Sequence, residues 1–299
     1  MTGSRGASSR PPALRASKPP FYRNVWVRHP VNPLLPLGRE KVERLRQMEP
    51  CVVMGRGHSG TRVVAWMCHH LGIEMGVAAG VPSGDPFDGS FKRHMRIVAT
   101  HSLEARSTEE TRYLVRNRFQ RAVDGFHRRM DPAGPRWGWK FPESYLTGPY
   151  VAETFPHARY LHLLRDGRDV AFKRHLTDVS EHRLARGILR RQGALALPHH
   201  LQAALSWSFQ VELFESFRQT LSPNQILTIR YEDLVDRPQK TADLVAGFLR
   251  VEMTDACRAY LDREVTAAHV GEFRSQDEDE VREVEQLIGP TLRSLGYER

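Results

Sequence analysis

Residues 51–62 decide the fold of this chain; they read CVVMGRGHSGTR. The apolar run Cys51–Met54 leads into a loop with glycine at positions 55, 57 and 60, and the helix-period segment VVAWMCHHLGI follows. A strand, a glycine loop and a helix in this order direct backbone N–H groups and a helix N-terminus at a bound anion. The stretch therefore predicts an anion-binding turn at the end of a buried strand.

A second strand-and-turn segment lies about 105 residues further along. Residues Arg159–Leu164 read RYLHLL, a buried-strand pattern, and run into the charged turn Arg165-Asp166-Gly167-Arg168 and a helix. Strands that alternate with helices in this way indicate βαβ units. We therefore expect an α/β fold, a single domain with a central, mainly parallel sheet flanked by helices.

The other patterns complete this domain. Strands are predicted over residues 137–141 and 225–230, and a Gly- and Pro-rich loop over residues 77–92. Helices are predicted over residues 108–130, 201–221, 238–250 and part of 271–299. Residues 1–24 are basic and have no apolar run, so we expect a disordered tail there and one domain over residues 25–299.

Composition narrows the class of protein. The chain has 299 residues, of which 40% are hydrophobic and 26% charged, as in a globular enzyme. No run approaches the roughly 18 apolar residues of a membrane helix, so no membrane span is expected. The net charge of +9 is compatible with nucleic acid, anionic lipid or a small polyanion. Because no zinc-finger spacing, RRM motif or basic recognition helix is present, nucleic acid is not expected as a partner.

The number and spacing of the cysteines bear on disulfides and metal binding. Cys51, Cys68 and Cys257 are odd in number and far apart along the chain, so they form neither a disulfide framework nor metal-ligand spacing. We expect no bound metal, core packing for Cys51 and Cys68, and a cytoplasmic location.

Two commoner phosphate motifs do not fit the first loop. A Walker A loop has a Lys directly after its last glycine, whereas Thr61 follows Gly60 and the loop has no Lys. The three glycines match GxGxxG literally, but the acidic residue expected about 20 residues later on a following strand is absent. Neither ATP hydrolysis of the usual kind nor dinucleotide binding is favoured.

The core Ser59-Gly60-Thr61 resembles the 5′-phosphosulfate loop of sulfotransferases that use 3′-phosphoadenosine 5′-phosphosulfate (PAPS). The resemblance implies that hydroxyls and the helix N-terminus bind the 5′-phosphate while a cation neutralises the leaving oxygen. His58 stands where that family carries Lys or Arg, so Arg56 or Arg62 would add the positive charge. The donor contacts implied for this loop are Arg56, Gly57, His58, Ser59, Gly60, Thr61 and Arg62.

The second loop resembles the site where the same family holds the 3′-phosphate of PAPS. Arg165 is the implied phosphate ligand, and Lys173 stands at the position of a helping Ser. Gly271-Glu272-Phe273-Arg274 resembles a late Gly-x-Trp-Arg segment, which implies that Gly271, Phe273 and Arg274 close over the 3′-phosphate and adenine.

The resemblance implies a P-loop-like fold and a sulfotransferase that releases 3′,5′-ADP without a metal. Lys140, in Trp139-Lys140-Phe141-Pro142, and His58 would stabilise the leaving oxygens. Asp85, in Asp85-Pro86-Phe87-Asp88, is the first candidate for the general base, with Glu143 and His101 as alternatives.

The acceptor stays open at this point. A hydroxyl or amine of a small molecule, a carbohydrate or a lipid would each suit the chemistry. Two other functions stay open as well: a nucleotide-dependent kinase on a similar scaffold, and a non-catalytic protein that binds anions or nucleic acid.

Overall fold

The computed structural model describes residues 36–76, 89–103, 108–130 and 134–297. The predicted tail, residues 1–24, and the candidate base Asp85 lie outside these residues.

A parallel sheet forms the centre of the described structure. Its four strands are β1 (Cys51–Gly55), β2 (Gly138–Lys140), β3 (Arg159–Leu164) and β4 (Ile226–Arg230), in the order β2-β1-β3-β4. All three pairings are parallel. β1 and β2 are buried along their whole length, and β3 from its second residue onward. Continuous apolar runs are typical of strands that helices cover on both faces.

Helices cover both faces of this sheet. Their bounds are α1 (Arg39–Arg46), α2 (Thr61–His70), α3 (Gly89–Ser102), α4 (Glu109–Met130), α5 (Ser144–Thr154), α6 (Gly167–Ala171), α7 (Arg183–Arg191), α8 (His199–Arg218), α9 (Tyr231–Asp236), α10 (Pro238–Leu249), α11 (Asp255–Glu264) and α12 (Glu278–Ser294). Short 3₁₀ turns lie at Pro223–Gln225, Ala267–His269 and Glu272–Ser275.

Alternate residues of β1 belong to two different cores. Val52 and Met54 pack in one apolar cluster, whereas Cys51 and Val53 pack in another with residues of α2, α10 and α11. Successive side chains of a strand point to opposite faces, so the two clusters lie on the two sides of the sheet. The predicted α/β fold with a central parallel sheet is confirmed.

One predicted boundary was wrong. Residues 89–92 were assigned to a loop, but they form the first turn of α3. Phe91, Met95 and Val98 recur at helical spacing and are fully buried, so packing against the core stabilises this turn despite its glycine.

The three cysteines, far apart in sequence, meet in the second core cluster. Cys51, Cys68 and Cys257 are free and buried there, which confirms the core packing predicted for the first two. The neighbouring Cys51 thiol and burial raise the pKa of the Cys68 thiol well above its usual value. Among the described residues, no helix is long and apolar enough to cross a membrane.

Candidate active site

The two predicted loops begin side by side at one edge of the sheet. Gly55, the last residue of β1, pairs with Leu163 of β3, so the chain leaves both strands at the same level. The carboxyl ends of neighbouring parallel strands are the usual binding edge of an α/β sheet. A cleft of about 650 Å³ opens there, and both Thr61 and Arg165 line it.

The first loop presents the N-terminus of α2 to this cleft. Gly60 has φ +85°, a left-handed conformation, and the Tyr231 ring lies so close that any side chain at Gly60 would collide with it. Thr61 is the first helical residue. Ser59 is fully buried, and its hydroxyl has no hydrogen-bond partner among the described residues. Ser59 is not among the described residues that line the cleft, so Thr61 brings the hydroxyl to the helix N-terminus, and this combination suits a bound anion.

Arg56 does not line the cleft, contrary to the donor role predicted for it. Its guanidinium forms a fully buried ion pair with Asp178 and donates a 2.9 Å hydrogen bond to the carbonyl of Gly57. An unpaired charge would be very costly at this depth, and Asp178 provides the partner. Arg56 therefore supports the first loop from its buried side.

His58 lines the cleft as a neutral group, so it does not replace the charge of the Lys or Arg that the family carries at this position. Its Nε2 lies 3.0 Å from the carbonyl of Arg174, which can only accept, so Nε2 carries the proton. Partial shielding from water lowers the pKa of the imidazole, and the nearby charges of Arg56 and Lys173 lower it further. Positive charge in the cleft therefore comes from Lys and Arg side chains, which include Arg62, Lys140, Arg165 and Lys173.

Arg165 joins the second loop to the first. Its Nη1 donates a 2.8 Å hydrogen bond to the carbonyl of His58, and its guanidinium stacks 4.6 Å from the centre of the Tyr231 ring. Its Nη2 lies 3.3 Å from Asp169 and also bonds the carbonyl of His269. These contacts hold a buried cation at the cleft wall in one orientation.

A carboxylate from the late segment lies between the second-loop cations. Glu272 forms an ion pair with Lys173, lies 3.5 Å from Arg165, and meets His269 at 2.7 Å. The hydrogen bonds and charges of Lys173 and His269 outweigh desolvation and lower the pKa of Glu272 to about 2. An anionic group is therefore already bound by the two cations that the sequence assigned to a 3′-phosphate.

The predicted closure by Gly271, Phe273 and Arg274 is not seen. The backbone N–H groups of Gly271 and Phe273 donate to the Asp169 carboxylate at 2.9 and 3.0 Å. The Phe273 ring is buried between the guanidinium groups of Arg168 and Arg274, at 4.3 and 4.9 Å. Phe273 and Arg274 line a separate cavity of about 600 Å³. Stacking with Arg168 turns the ring away from the cleft.

Strand β2 brings Lys140 and Glu143 to the opposite wall. Lys140 pairs with Val53 in the sheet and is 3% exposed, and Glu143 directly precedes α5. Glu143 Oε1 lies 3.4 Å from Nε2 of His175. His101, the other alternative base, lies in a different cavity with Tyr113 and Tyr150.

Sequence reasoning missed several residues of the cleft. His175 and His269 stand in no motif, and nothing local marks them. Tyr231 was noted within a family-like segment but given no role. Trp66 and Tyr260 also line the cleft; the helical pattern around Trp66 signalled only burial.

Comparison with known proteins agrees with this geometry. Residues 77–255, more than half of the chain, match the Sulfotransferase family. The chain belongs to the sulfotransferase family. The matched residues of this sulfotransferase include Lys140, Glu143 and the second loop, and they begin after the first loop. The predicted family is confirmed.

Individual relatives are distant. A protein-tyrosine sulfotransferase of Drosophila melanogaster is 26% identical over 129 residues, which cover 42% of this chain and 23% of that protein. The chain thus spans about a quarter of the length of this relative. Sulfotransferase STF9 from Mycobacterium avium has a TM-score of 0.51 at 12% identity, over 86% of this chain and 79% of its own. It shows the shared fold.

A mouse enzyme has a lower structural similarity to this chain. Mouse sulfotransferase SULT7A1, solved as a complex with PAP, has a TM-score of 0.43 at 13% identity, over 86% of this chain and 90% of its own.

Proposed function

We propose that this sulfotransferase transfers the sulfuryl group of PAPS to a hydroxyl or amine of an acceptor and releases 3′,5′-ADP. One observation carries the proposal: the hydrogen bond from Arg165 to the carbonyl of His58 joins the loops after β1 and β3, and residues of both loops line one cleft. PAPS carries anionic groups at both its 5′ and 3′ positions, so a helix N-terminus after one loop and cations on the other, joined across one cleft, suit it better than a single phosphate site would.

The 5′ end of the donor would lie against the first loop. Thr61 and the N-terminus of α2 would bind the 5′-phosphate, with Gly60 allowing close approach of the backbone. Lys140, on the facing wall, would neutralise the charge that develops on the leaving oxygen. Arg62 adds positive charge at the mouth of the cleft. His58 serves here through its main-chain carbonyl and its neutral ring.

The 3′ end would lie against the second loop. Arg165 can offer a planar fork to a phosphate, and Lys173 a point charge beside it. Both now contact Glu272, so the phosphate would replace that carboxylate. The rings of Trp66 and Tyr260, which also line the cleft, would contact the adenine.

Sulfuryl transfer depends on the positioning of the two reactants and on stabilisation of the developing charge more than on covalent catalysis. The acceptor oxygen or nitrogen attacks sulfur in line and loses its proton. The bond from sulfur to the 5′-phosphate oxygen breaks, and its electron pair leaves with 3′,5′-ADP. Asp85, which lies outside the described residues, stays a prediction for the base.

The test is transfer from labelled PAPS. The protein would be incubated with phenols, sugars, lipids, amines and a tyrosine-containing peptide, the last because of the Drosophila relative's name. We expect a labelled product and an equal amount of 3′,5′-ADP. Lys140→Met should lower kcat about a hundredfold or more, whereas Lys41→Met, at an exposed lysine of α1, should not. Absence of label in every acceptor would contradict the proposal.

The two alternative functions predict different behaviour. Kinase activity would be lost in EDTA, whereas sulfuryl transfer should survive it. A nucleic-acid binder would lose affinity steeply with salt. A cytoplasmic location is part of the proposal and can be checked by cell fractionation.

A further inference from the structure

The cleft wall opposite the second loop holds a carboxylate whose role the donor contacts leave unexplained. Two acidic side chains are present among the described residues that line the cleft: Glu143 and Glu264. Glu264 is exposed and bonds its neighbour Arg263. Glu143 is 1% exposed and lies three residues after Lys140, which faces the transferring group in the proposed function. A carboxylate buried beside the reacting atoms needs a reason.

One oxygen of Glu143 is poorly satisfied. Within the described part of the chain, Oε1 has no well-directed hydrogen bond, although His175 Nε2 lies 3.4 Å away. Hydrogen bonds of catalytic groups are often long before the substrate binds. An acceptor hydroxyl in the cleft would supply the donor that this oxygen lacks.

A chain of side chains fixes the orientation of His175. Gln210 Nε2 donates to Thr177 Oγ1 at 3.5 Å, and Thr177 Oγ1 lies 3.0 Å from His175 Nδ1. The Thr177 hydroxyl can donate to Nδ1, and in that arrangement the proton of the imidazole is on Nε2. Nε2 lies 3.4 Å from Oε1 of Glu143, without the alignment of a hydrogen bond. The ring also packs directly against Gly57, where an added Cβ would collide with it.

We propose that Glu143 is the general base of the reaction and that His175 is its positioning residue. The inference rests on the proposed sulfuryl transfer. As the acceptor oxygen bonds to sulfur, its proton passes to Oε1 of Glu143. The bond between sulfur and the 5′-phosphate oxygen breaks, and the electron pair leaves on 3′,5′-ADP. Glu143 later gives the proton to solvent.

The charges around the pair favour this assignment. Burial raises the pKa of Glu143, so its carboxylate is more basic than an exposed one, while Arg96, Lys140 and Lys92 oppose the rise. Burial also lowers the pKa of His175 well below its usual value.

The other groups that face His175 act in the same direction. Arg56, His58, Arg96 and Lys140 each lower the pKa of the imidazole further. His175 is therefore neutral, and the acid limb of kcat/KM reports Glu143.

The experiment compares isosteric variants with the best acceptor from the panel above. Glu143→Gln should lower kcat about a hundredfold or more and remove the acid limb of kcat/KM, with the Kd for 3′,5′-ADP changed less than about twofold. His175→Gln, which keeps an N–H at the Nε2 position, should retain more activity than His175→Ala. Glu153→Gln, in the other cavity, is the matched control and should have no effect.

Three outcomes would overturn the proposal. The first is a Glu143→Gln variant with normal kcat. The second is a Glu143→Gln variant that keeps the acid limb of the wild-type pH profile of kcat/KM. The third is loss of kcat in Asp85→Asn alone, which would make Asp85 the base. If the wild-type protein neither binds 3′,5′-ADP nor transfers label, the proposed function itself fails. Binding of 3′,5′-ADP by each variant reports that it is folded.

Discussion

The guanidinium of Arg165 donates a 2.8 Å hydrogen bond to the main-chain carbonyl of His58, 107 positions earlier in the chain. The acceptor is a backbone atom, so the contact does not depend on which side chain stands at position 58. The bond connects the turn after β1 to the turn after β3. Movement of either loop is therefore coupled to the other.

Loss of Arg165 should remove most of the stabilisation that 3′,5′-ADP gives to the folded protein. In the wild-type protein, 3′,5′-ADP should raise the melting temperature, because a ligand that binds only the folded state stabilises it. Arg165→Ala should abolish most of this shift, as measured by thermal unfolding with and without the ligand. Arg159→Ala is the matched control, since Arg159 lies at the opposite end of the same strand and bonds the carbonyl of Phe248. A full shift in Arg165→Ala would contradict the assignment of the second loop.

Removal of the Glu272 charge should tighten donor binding. Glu272 competes for Lys173 and Arg165, so Glu272→Gln should lower the Kd for 3′,5′-ADP about tenfold, roughly 1.4 kcal/mol. Isothermal titration calorimetry measures the change. Glu280→Gln, an exposed carboxylate on α12, controls for the change in net charge. Weaker binding in Glu272→Gln would mean instead that the carboxylate organises the two cations for the ligand.

Gly60 and Gly72 have the same backbone conformation, so substitutions there distinguish the strain of a positive φ from a steric clash with a neighbouring ring. Gly60 has φ +85° and Gly72 has φ +83°, but a Cβ would meet the Tyr231 ring at Gly60 and open space at Gly72. Gly72→Ala should cost about 1 kcal/mol of unfolding free energy and leave the Kd for 3′,5′-ADP unchanged. Gly60→Ala should cost more and weaken 3′,5′-ADP binding at least about tenfold, because Tyr231 also stacks on Arg165. Equal effects of the two variants would refute a special role for Gly60.

The buried pair of Arg56 and Asp178 should dominate the stability of the first loop. Arg56→Met leaves the Asp178 carboxylate unpaired, so urea unfolding should show a loss of about 3 kcal/mol or more. The double variant Arg56→Met/Asp178→Asn should lose less than the sum of the two single variants. Arg282→Met, at the exposed pair with Asp279, should cost less than about 1 kcal/mol. Additive losses in the double variant would show that the pair does not interact.

His162 should make the protein less stable in acid. Its ring is stacked on Phe214 in the core, and burial lowers its pKa to about 3. The unfolded chain binds this proton near pH 6.5, so between about pH 3 and 6.5 the unfolded state holds one proton more. Stability from this residue therefore rises with pH by about 1.4 kcal/mol per unit in that window and is constant above it.

The variant His162→Gln isolates this effect. The difference in unfolding free energy between wild type and variant should change with pH below about 6.5 and stay constant above it. Urea unfolding at several pH values provides the measurement. A difference that is independent of pH throughout would show that His162 keeps an ordinary pKa in the folded protein.

The sequence predicts those features of the structure that depend on residues close together in the chain. The strand Arg159–Leu164 has the same bounds in the prediction and in the structure, because a continuous apolar run ends abruptly at charged residues. The helix predicted at residues 108–130 likewise begins within one residue of its observed start. Periodicity and turn residues decide such elements.

Contacts between distant segments could not be predicted in this way. The inward turn of Arg56 depends on Asp178, and the position of His175 against Glu143 depends on how the chain after β3 packs beside β2. Phe273 stands in a family-like segment, yet stacking with Arg168 decides where its ring lies. No sequence pattern near any of these residues encodes its distant partner.

The register of β1 against β3, with Gly55 opposite Leu163, has a consequence for how this enzyme can diverge. Backbone hydrogen bonds hold neighbouring strands about 4.8 Å apart whatever side chains they carry. If the donor lies across the two loops as proposed, the span between its two halves is set by main-chain geometry and is insensitive to substitution. Side chains elsewhere in the cleft could then change by mutation while that span is inherited unaltered.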